Sequence, residues 1–435
     1  MRVTQSLNQA QFIAALNTLE SNLSQTQNKI ATNLSFTTAS QNPVAAGAVD
    51  NYTQVLAQTK QYDTNANSAQ TSLGTEDNAL SQVQSQLQGL RDLALEANSG
   101  ALTSQDRATI ATQAAQIQAS LVSLANTRDG NGEYIFGGYA TQNQPFAPSA
   151  NGATYSGDQG QRQVQIAAGQ FVAVSDNGDT VFNQIKTGNG TFNATAGAAN
   201  TGTGVLGATS VSNSAAYNGG TYAINFTAAS TYEIRDSNNL LVTSGPYADG
   251  QAIAFRGVQV TLTGQPAAGD TFSVAPSANQ SVFTTVQTLI TALQTGASTP
   301  ASKAQVTNSI NGAIGNIDQV LNQAATVRAS IGGRLNAITA QQSVSSSQEI
   351  QLQSSISTLQ SLDYASAITT LDQQNTTLSA ALQAYTITQG LSLFKYLEQP
   401  QATRRCRYQR LSDDGRPHHA HGHARVLRRW PRARR

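Results

Sequence analysis

Hydrophobic residues near the N-terminus recur in alternating steps of four and three. Phe12, Leu16, Leu19, Leu23, Thr26 and Ile30 form such a series, the heptad seam of a helix packed along one face. Ser40-Gln41-Asn42-Pro43 breaks the pattern. A second helix is predicted from about Tyr52 to Asn98. Its seam is Leu73, Glu76, Leu80, Val83, Leu87, Leu90, Ala94 and Ala97, widened by Leu93, and Asn98-Ser99-Gly100 is its stop signal. A third helix starts at Ser104-Gln105-Asp106, carries Ile110, Ala114, Ile117, Leu121 and Leu124, and ends at Asp129-Gly130-Asn131-Gly132.

The pattern then changes period. Over about 134–276 the chain is rich in Gly, Ser, Thr and Asn, and short stretches alternate apolar with polar residues. Tyr222-Ala223-Ile224-Asn225-Phe226 is one; Tyr232-Glu233-Ile234-Arg235 is another, followed by the turn Asp236-Ser237-Asn238-Asn239 and by Leu240-Leu241-Val242. Val258, Val260 and Leu262 alternate, as do Phe272 and Val274. Such strands predict a small antiparallel β domain. The segment 189–216 has few apolar anchors and is expected to be a long surface loop.

The helical grammar returns with Val306, Ile310, Ala313, Ile317, Val320, Ala324, Val327 and Ile331. Gly332-Gly333 is expected to interrupt it before Leu335 and Ile338. After the polar stretch 341–348, Leu352, Ile356 and Leu359 resume the stripe. Asp363-Tyr364 marks a joint, and a last helix carries Ile368, Leu371, Leu378, Leu382 and Tyr385. The fold class is therefore mainly α with a β insert. N- and C-terminal helices form an elongated antiparallel coiled-coil bundle, and a small antiparallel β domain is inserted between them. The expected boundaries are 1–140 (helical), 141–279 (β-rich) and 280–397 (helical), followed by a basic tail over 398–435. Narrow seams with few flanking charges leave terminal helices that finish packing against neighbouring subunits.

Composition changes this picture mainly at the C-terminus. The 435-residue chain is only 11% charged, against about 25% usually. Its formal charge of +1 is unevenly spread. The tail 398–435 holds eleven arginines and three acids (+8), whereas the rest has 14 basic and 21 acidic residues (−7). The tail also contains Cys406, Trp430 and all four histidines, with His418, His419, His421 and His423 clustered. A basic arm for nucleic acid or membrane surface and a histidine metal site are two readings. The third is favoured: an Arg/Pro/His/Gly bias without periodicity is what a GC-rich gene yields out of frame, so the tail is read as non-native.

The remaining chain has no His, Cys or Trp. It therefore lacks His-based acid–base pairs and His or Cys metal ligands, and no catalytic, cofactor or metal residue is assigned. Gly202, Gly204 and Gly207 match GxGxxG without the strand–helix context a dinucleotide needs. Asp129-Gly130-Asn131-Gly132-Glu133 lacks calcium-loop spacing and reads as a helix-ending turn. Asp176-Asn177-Gly178-Asp179 reads as a hairpin turn. Asn22-Leu23-Ser24 is a sequon of the kind chance supplies in so Asn/Ser-rich a chain. No apolar run is long enough for membrane insertion, and no cleaved secretory signal is expected.

Several motifs resemble a known superfamily. Leu90-Arg91-Asp92-Leu93-Ala94-Leu95-Glu96-Ala97-Asn98-Ser99-Gly100 and Ser104-Gln105-Asp106-Arg107-Ala108-Thr109-Ile110 are similar to the N-terminal region of flagellins. Asn42-Pro43-Val44-Ala45-Ala46-Gly47 is similar to the family's first interhelix segment. Val327-Arg328-Ala329-Ser330-Ile331-Gly332-Gly333-Arg334-Leu335-Asn336 resembles the C-terminal signature, and Asp363-Tyr364-Ala365 the joint before the last helix. The similarity covers about 1–140 and 280–397. Within the superfamily, Gly132-Glu133-Tyr134-Ile135-Phe136-Gly137-Gly138-Tyr139 with Pro145-Phe146 resembles the hook–filament junction family, hook-associated protein 3. The ending Gly390-Leu391-Ser392-Leu393-Phe394-Lys395-Tyr396-Leu397 does so too, and Gly264-Gln265-Pro266-Ala267-Ala268-Gly269-Asp270-Thr271-Phe272 is similar to β-domain segments of hook-associated proteins. Members end near Leu397, so the tail departs from the pattern.

The resemblance implies a structural, non-enzymatic subunit of the bacterial flagellum at the hook–filament junction. It implies export through the flagellar type III apparatus and assembly by coupled folding of terminal helices. Implied partners are hook-associated protein 1, flagellin, further copies of the chain in an annular layer, and an export chaperone, with no nucleic acid. Tyr134, Phe136, Gly138 and Tyr139 carry the family motif. Leu80, Leu87, Leu90, Ile317, Ile331, Ile356, Leu371 and Leu382 are the candidate packing and assembly residues. The alternatives are a filament-forming flagellin, a secreted adhesin with a helical stalk, and an enzyme using the β insert.

Overall fold

The computed structural model describes residues 2–99 and 102–390. The tail 398–435 and residues 391–397 of the family-like ending lie outside the described residues. The chain divides into two units. One comprises residues up to Thr37 together with those from Leu362 onward; the other is Thr38–Ser361.

In the larger unit, α2 (Pro43–Ala97) and α5 (Pro300–Gln360) are the long elements, about 80 and 90 Å at 1.5 Å per residue. Asn42 caps α2 by accepting a hydrogen bond from the Ala45 N–H at 3.1 Å, with Pro43 in the first turn. Asn42-Pro43 is thus a helix start, and α2 begins nine residues before the expected Tyr52. Thr299-Pro300 opens α5 in the same way, with Ser302 completing a capping box.

The two helices run antiparallel, as polar rungs along their length show. The Asn98 amide donates to Asn311 Oδ1 at 2.8 Å, Arg91 pairs with Asp318 at 2.6 Å, and Gln342 donates to Asn67 at 2.9 Å. From Asn98 to Arg91 is one heptad backward, and from Asn311 to Asp318 one heptad forward. All eight predicted seam residues of α2 are buried, as are all eight from Val306 to Ile331. Gly332-Gly333 does not interrupt α5, which continues through the polar stretch to Gln360. Two glycines cost a helix about 1 kcal/mol each; buried Ile331 and Ile338 on either side hold the helix across them.

Two shorter helices complete this bundle. α3 (Ser104–Ala125) starts with a Thr103/Asp106 capping box, and α4 (Val282–Gln294) is capped by Ser281. α4 buries Val282, Phe283, Val286, Leu289, Ile290 and Leu293 in the same core as α2, α3 and α5.

Between α3 and α4 the chain forms fourteen short strands: β1 (Phe146–Ser149), β2 (Gly152–Tyr155), β3 (Gln163–Ala167), β4 (Gln170–Ala173), β5 (Ile185–Lys186), β6 (Phe192–Ala196), β7 (Val205–Val211), β8 (Tyr222–Ala228), β9 (Thr231–Asp236), β10 (Leu241–Pro246), β11 (Ala252–Phe255), β12 (Val258–Thr263), β13 (Thr271–Pro276) and β14 (Asn279–Gln280). All pairings are antiparallel. A five-stranded sheet runs β10-β9-β8-β13-β6, and a three-stranded sheet β11-β12-β7. Their inward residues, including Ile224, Phe226, Phe272, Val258 and Leu262, make a second core separate from the helical one.

Two expectations are corrected here. The segment 189–216 is not a long loop, because it contains β6 and β7. Its few anchors, Phe192 and Leu206, are buried in the lobe core. Asp176-Asn177-Gly178-Asp179 is not a hairpin turn. It leads from β4 into a single π-helical turn, Asp179–Asn183, which buries Val181 and Phe182.

The smaller unit is a pair of helices, α1 (Arg2–Thr32) and α6 (Tyr364–Gly390). They too are antiparallel: Gln9 Nε2 donates to Tyr385 Oη, Phe12 stacks on Tyr385 at 5.2 Å, and the Tyr364 hydroxyl donates to the Ile30 carbonyl at 3.1 Å. On α1 the predicted positions Phe12, Leu16, Leu19, Leu23, Thr26 and Ile30 are all covered, together with Lys29. On α6 the covered face is Ala367, Leu371, Gln374, Leu378, Ala381 and Tyr385; Ile368 and Leu382 lie beside it and are exposed. No described helix is long and apolar enough to cross a membrane.

Candidate functional site

The family-like motif forms the joint between α3 and the lobe. Asp129 Oδ1 accepts from the Asn131 and Glu133 amides, which closes the turn after α3. Arg128 lies over the Tyr134 ring at 4.3 Å and donates to the Tyr134 hydroxyl at 2.7 Å. Phe136 is fully buried, edge-on to Phe182; Phe182 in turn meets Phe146 and Phe283, so one aromatic cluster joins the motif, β1, the π-helical turn and α4. Gly138 has φ +71°, and a Cβ there would collide with Asp158, so glycine is required on both counts.

Asp158 organises the outer half of the motif. Its Oδ1 accepts from the Tyr139 and Gly160 amides at 2.9 and 2.7 Å, and these bonds hold its carboxyl below the ordinary range. Burial pushes the Tyr155 hydroxyl up to about 12, while it donates to the carbonyls of Asp158 and Phe136. Tyr139 itself is 67% exposed. The motif thus has a buried half, Tyr134 and Phe136, and a surface-facing half, Tyr139.

The candidate packing residues separate similarly. Leu80, Leu87, Leu90, Ile317 and Ile331 have no solvent exposure and belong to the intrachain core of the larger unit. Ile356 and Leu371 are half-buried, and Leu382 is 45% exposed.

Periodicity does not reveal a second set of ties. Amide side chains on α5 hydrogen-bond the backbone of the lobe. Asn308 accepts from the Leu206 N–H at 2.7 Å and donates to the Gly204 carbonyl at 2.9 Å; Asn311 donates to the Leu206 carbonyl. Asn316 accepts from Gly188, and Gln305 donates to Ala198 and Asn200. Because an amide both donates and accepts, Asn308 covers the open edge of β7 as a neighbouring strand would. In the lobe, Gly202 and Gly204 belong to a fixed loop: buried Asp270 accepts from the Thr201, Gly202 and Ala267 amides.

The cleft between β6 and α5, about 360 Å³, is lined by side chains such as Asn193, Thr195, Gln305 and Asn316; none of its lining residues is acidic, basic or histidine. Among the described residues no cluster of three His, Cys, Asp or Glu side chains is placed to hold a metal.

With this geometry, the chain compares closely with solved structures. The crystal structure of Xanthomonas campestris FlgL is 38% identical, with a TM-score of 0.67 over 70% of this chain and 99% of that one. The chain belongs to the FlgL, or flagellar hook-associated protein 3, family. A Legionella pneumophila structure titled as the flagellar junction protein FlgL is 29% identical, with a TM-score of 0.66 over 72% of this chain and all of that one. Residues 3–141 match the bacterial flagellin N-terminal helical region, and 195–276 match the D2-like domain of flagellar hook-associated protein 1. Flagellar hook-associated protein 3 of Salmonella typhimurium is 30% identical over 185 residues, covering 42% of this chain and 58% of that protein. The Escherichia coli protein is 34% identical over 146 residues, covering 34% and 45%. The chain thus spans about half the length of the curated relatives it matches.

Proposed function

We propose that this chain is a structural, non-catalytic subunit of the bacterial flagellum that forms the junction between hook and filament. The observation that carries this reading is its 38% identity with a FlgL over 99% of that solved chain. In the proposed role the protein is exported to the growing flagellum with the help of a chaperone. It assembles as an annular layer of identical subunits, with hook-associated protein 1 on one side and flagellin on the other.

The division of labour follows from burial. Leu80, Leu87, Leu90, Ile317 and Ile331 build a rigid helix pair within each subunit. The α1–α6 pair supplies the surface that neighbours complete. Of the side chains described on α1 only Thr26 is buried, and on α6 only Ala367. Leu7, Ile13, Ile368 and Leu382 are 44–56% exposed there. An apolar stripe uncovered in the free chain gains most by ordering against further helices. Tyr139 is the motif residue available for contact.

Immunogold electron microscopy of sheared flagella, with antibody to the β lobe, tests the placement. One label cluster at the hook–filament boundary is expected; label along the whole filament would make the chain a flagellin. Leu371→Asp is expected to leave export intact and block incorporation, and normal motile flagella in that mutant would overturn the role given to α6.

A further inference from the structure

One polar cluster inside the larger unit has more carboxylates than cations to balance them. Glu76 sits on the buried seam of α2 with no solvent exposure. Its Oε1 accepts from the Asp176 N–H at 3.1 Å, which sets the two acids side by side. Asp176 Oδ1 accepts from Arg334 Nη2 on α5 at 2.8 Å and from Gln161 Nε2 at 2.7 Å. The other oxygen of each acid, Glu76 Oε2 and Asp176 Oδ2, is buried and has no donor.

The surrounding charged groups each have a partner, although Arg334 Nη1 and Arg162 Nε are also buried without an acceptor. Asp77, next on α2, is engaged by Arg328 from α5 at 2.7 Å. Arg162, ahead of β3, pairs with Glu133 at 2.8 Å. Asp179 accepts from Gln159, Asn183 and Gln184. That leaves Arg334 as the one cation facing two acids. Two bare carboxylates side by side repel, and an unpaired buried charge is costly. A single proton on Glu76 eases both problems, because it neutralises the fully buried acid and turns its orphan acceptor into a donor.

We propose that Glu76 holds a proton at neutral pH, making a proton-operated latch that fastens the segment between β4 and the π-helical turn onto α2 and α5. Burial, and next the Asp176 charge, push the Glu76 carboxyl well above the ordinary range. Stability from this joint is therefore fully present below the ordinary glutamate range and is lost as pH rises through the elevated value. The chain exposes this effect unusually well. Residues 1–397 contain no histidine and no cysteine, and the four histidines and Cys406 of the tail titrate alike in the full chain and in a Glu76 variant, so they cancel in the comparison.

The test is thermal unfolding of the full chain and of Glu76→Gln from about pH 6 to about pH 9. Glutamine keeps the acceptor for the Asp176 N–H and supplies a permanent donor. The wild-type Tm is expected to fall by roughly 3 °C across that range, and that of Glu76→Gln to stay flat by comparison. Equal pH dependence in both proteins, or none in the wild type, would overturn the proposal. Infrared spectroscopy decides the case even if the variant folds poorly. The wild type at neutral pH is expected to show a protonated-carboxyl band that is lost on raising the pH, and its absence would refute the proton on Glu76.

Discussion

The α2–α5 pair and the α1–α6 pair are written in the same grammar and end in different states. Both are antiparallel, and both alternate four- and three-residue steps. In the first pair the seam is dry: Leu73, Leu80, Leu87, Leu90, Ile317 and Ile331 have no exposure. In the second, seam residues such as Phe12, Leu16 and Leu371 reach only intermediate burial. The difference lies in what else is present. α3, α4 and the β3–β4 ribbon lie over the first pair, whereas among the described residues of its own unit the second has no further helix or strand over it. A heptad stripe thus records that a helix packs, and the number of elements around it decides how completely. Two helices alone bury one narrow strip each.

Substitutions of known size can sharpen or break this contrast. Leu87→Ala is expected to cost about 3 kcal/mol, because it opens a cavity in a seam with no exposure; denaturant unfolding of the free subunit measures it. A loss below about 1 kcal/mol would mean that the α2–α5 seam is no tighter than the terminal pair. Within the lobe, Asp270→Ala removes the acceptor of three amides and is expected to cost about 2 kcal/mol, with hydrogen exchange rising first around Thr201 and Gly202. Gly333→Ala adds a methyl that meets nothing within 4 Å on an exposed face of α5; it is expected to stabilise the larger unit by about 1 kcal/mol. Leu371→Ala, in the smaller unit, is expected to change the free subunit's stability by less than about 1 kcal/mol while reducing incorporation into flagella.

Much of this contrast is legible in the sequence, and the exceptions have physical causes. The α2 seam, including its polar member Glu76, follows from spacing alone, since period survives when hydrophobicity is diluted by Ala and Gln. The start of α2 was hidden because Asn42-Pro43 serves equally as a turn and as a cap with proline in the first turn. Gly332-Gly333 reads as a break only if propensity outranks packing, and buried Ile331 and Ile338 reverse that order. On α6, Ile368 and Leu382 are more apolar than the seam's own Ala367 and Ala381, so choosing by hydrophobicity puts these two positions one residue off the covered face, while Leu371, Leu378 and Tyr385 lie on it. β6 and β7 were missed because each supplies a single large apolar anchor, Phe192 and Leu206. The amide ties from Asn308, Asn311 and Asn316 have no sequence signature at all. Those residues repeat at helical spacing like any solvated face, and only the lobe folding back over α5 gives them partners. The Glu76, Asp176 and Arg334 cluster is the same case: the three positions are far apart in the chain and meet only once the bundle has closed.

The contrast between a completed and an uncompleted seam is tested most directly by amide hydrogen exchange, read peptide by peptide on the free full-length subunit. Amides of the α2 and α5 seam, around Leu87 and Ile317, are expected to exchange at least about tenfold more slowly than those of α1 and α6 around Leu16 and Leu371. Equal protection in the two pairs would contradict it, because the terminal helices would then be as complete alone as the bundle is.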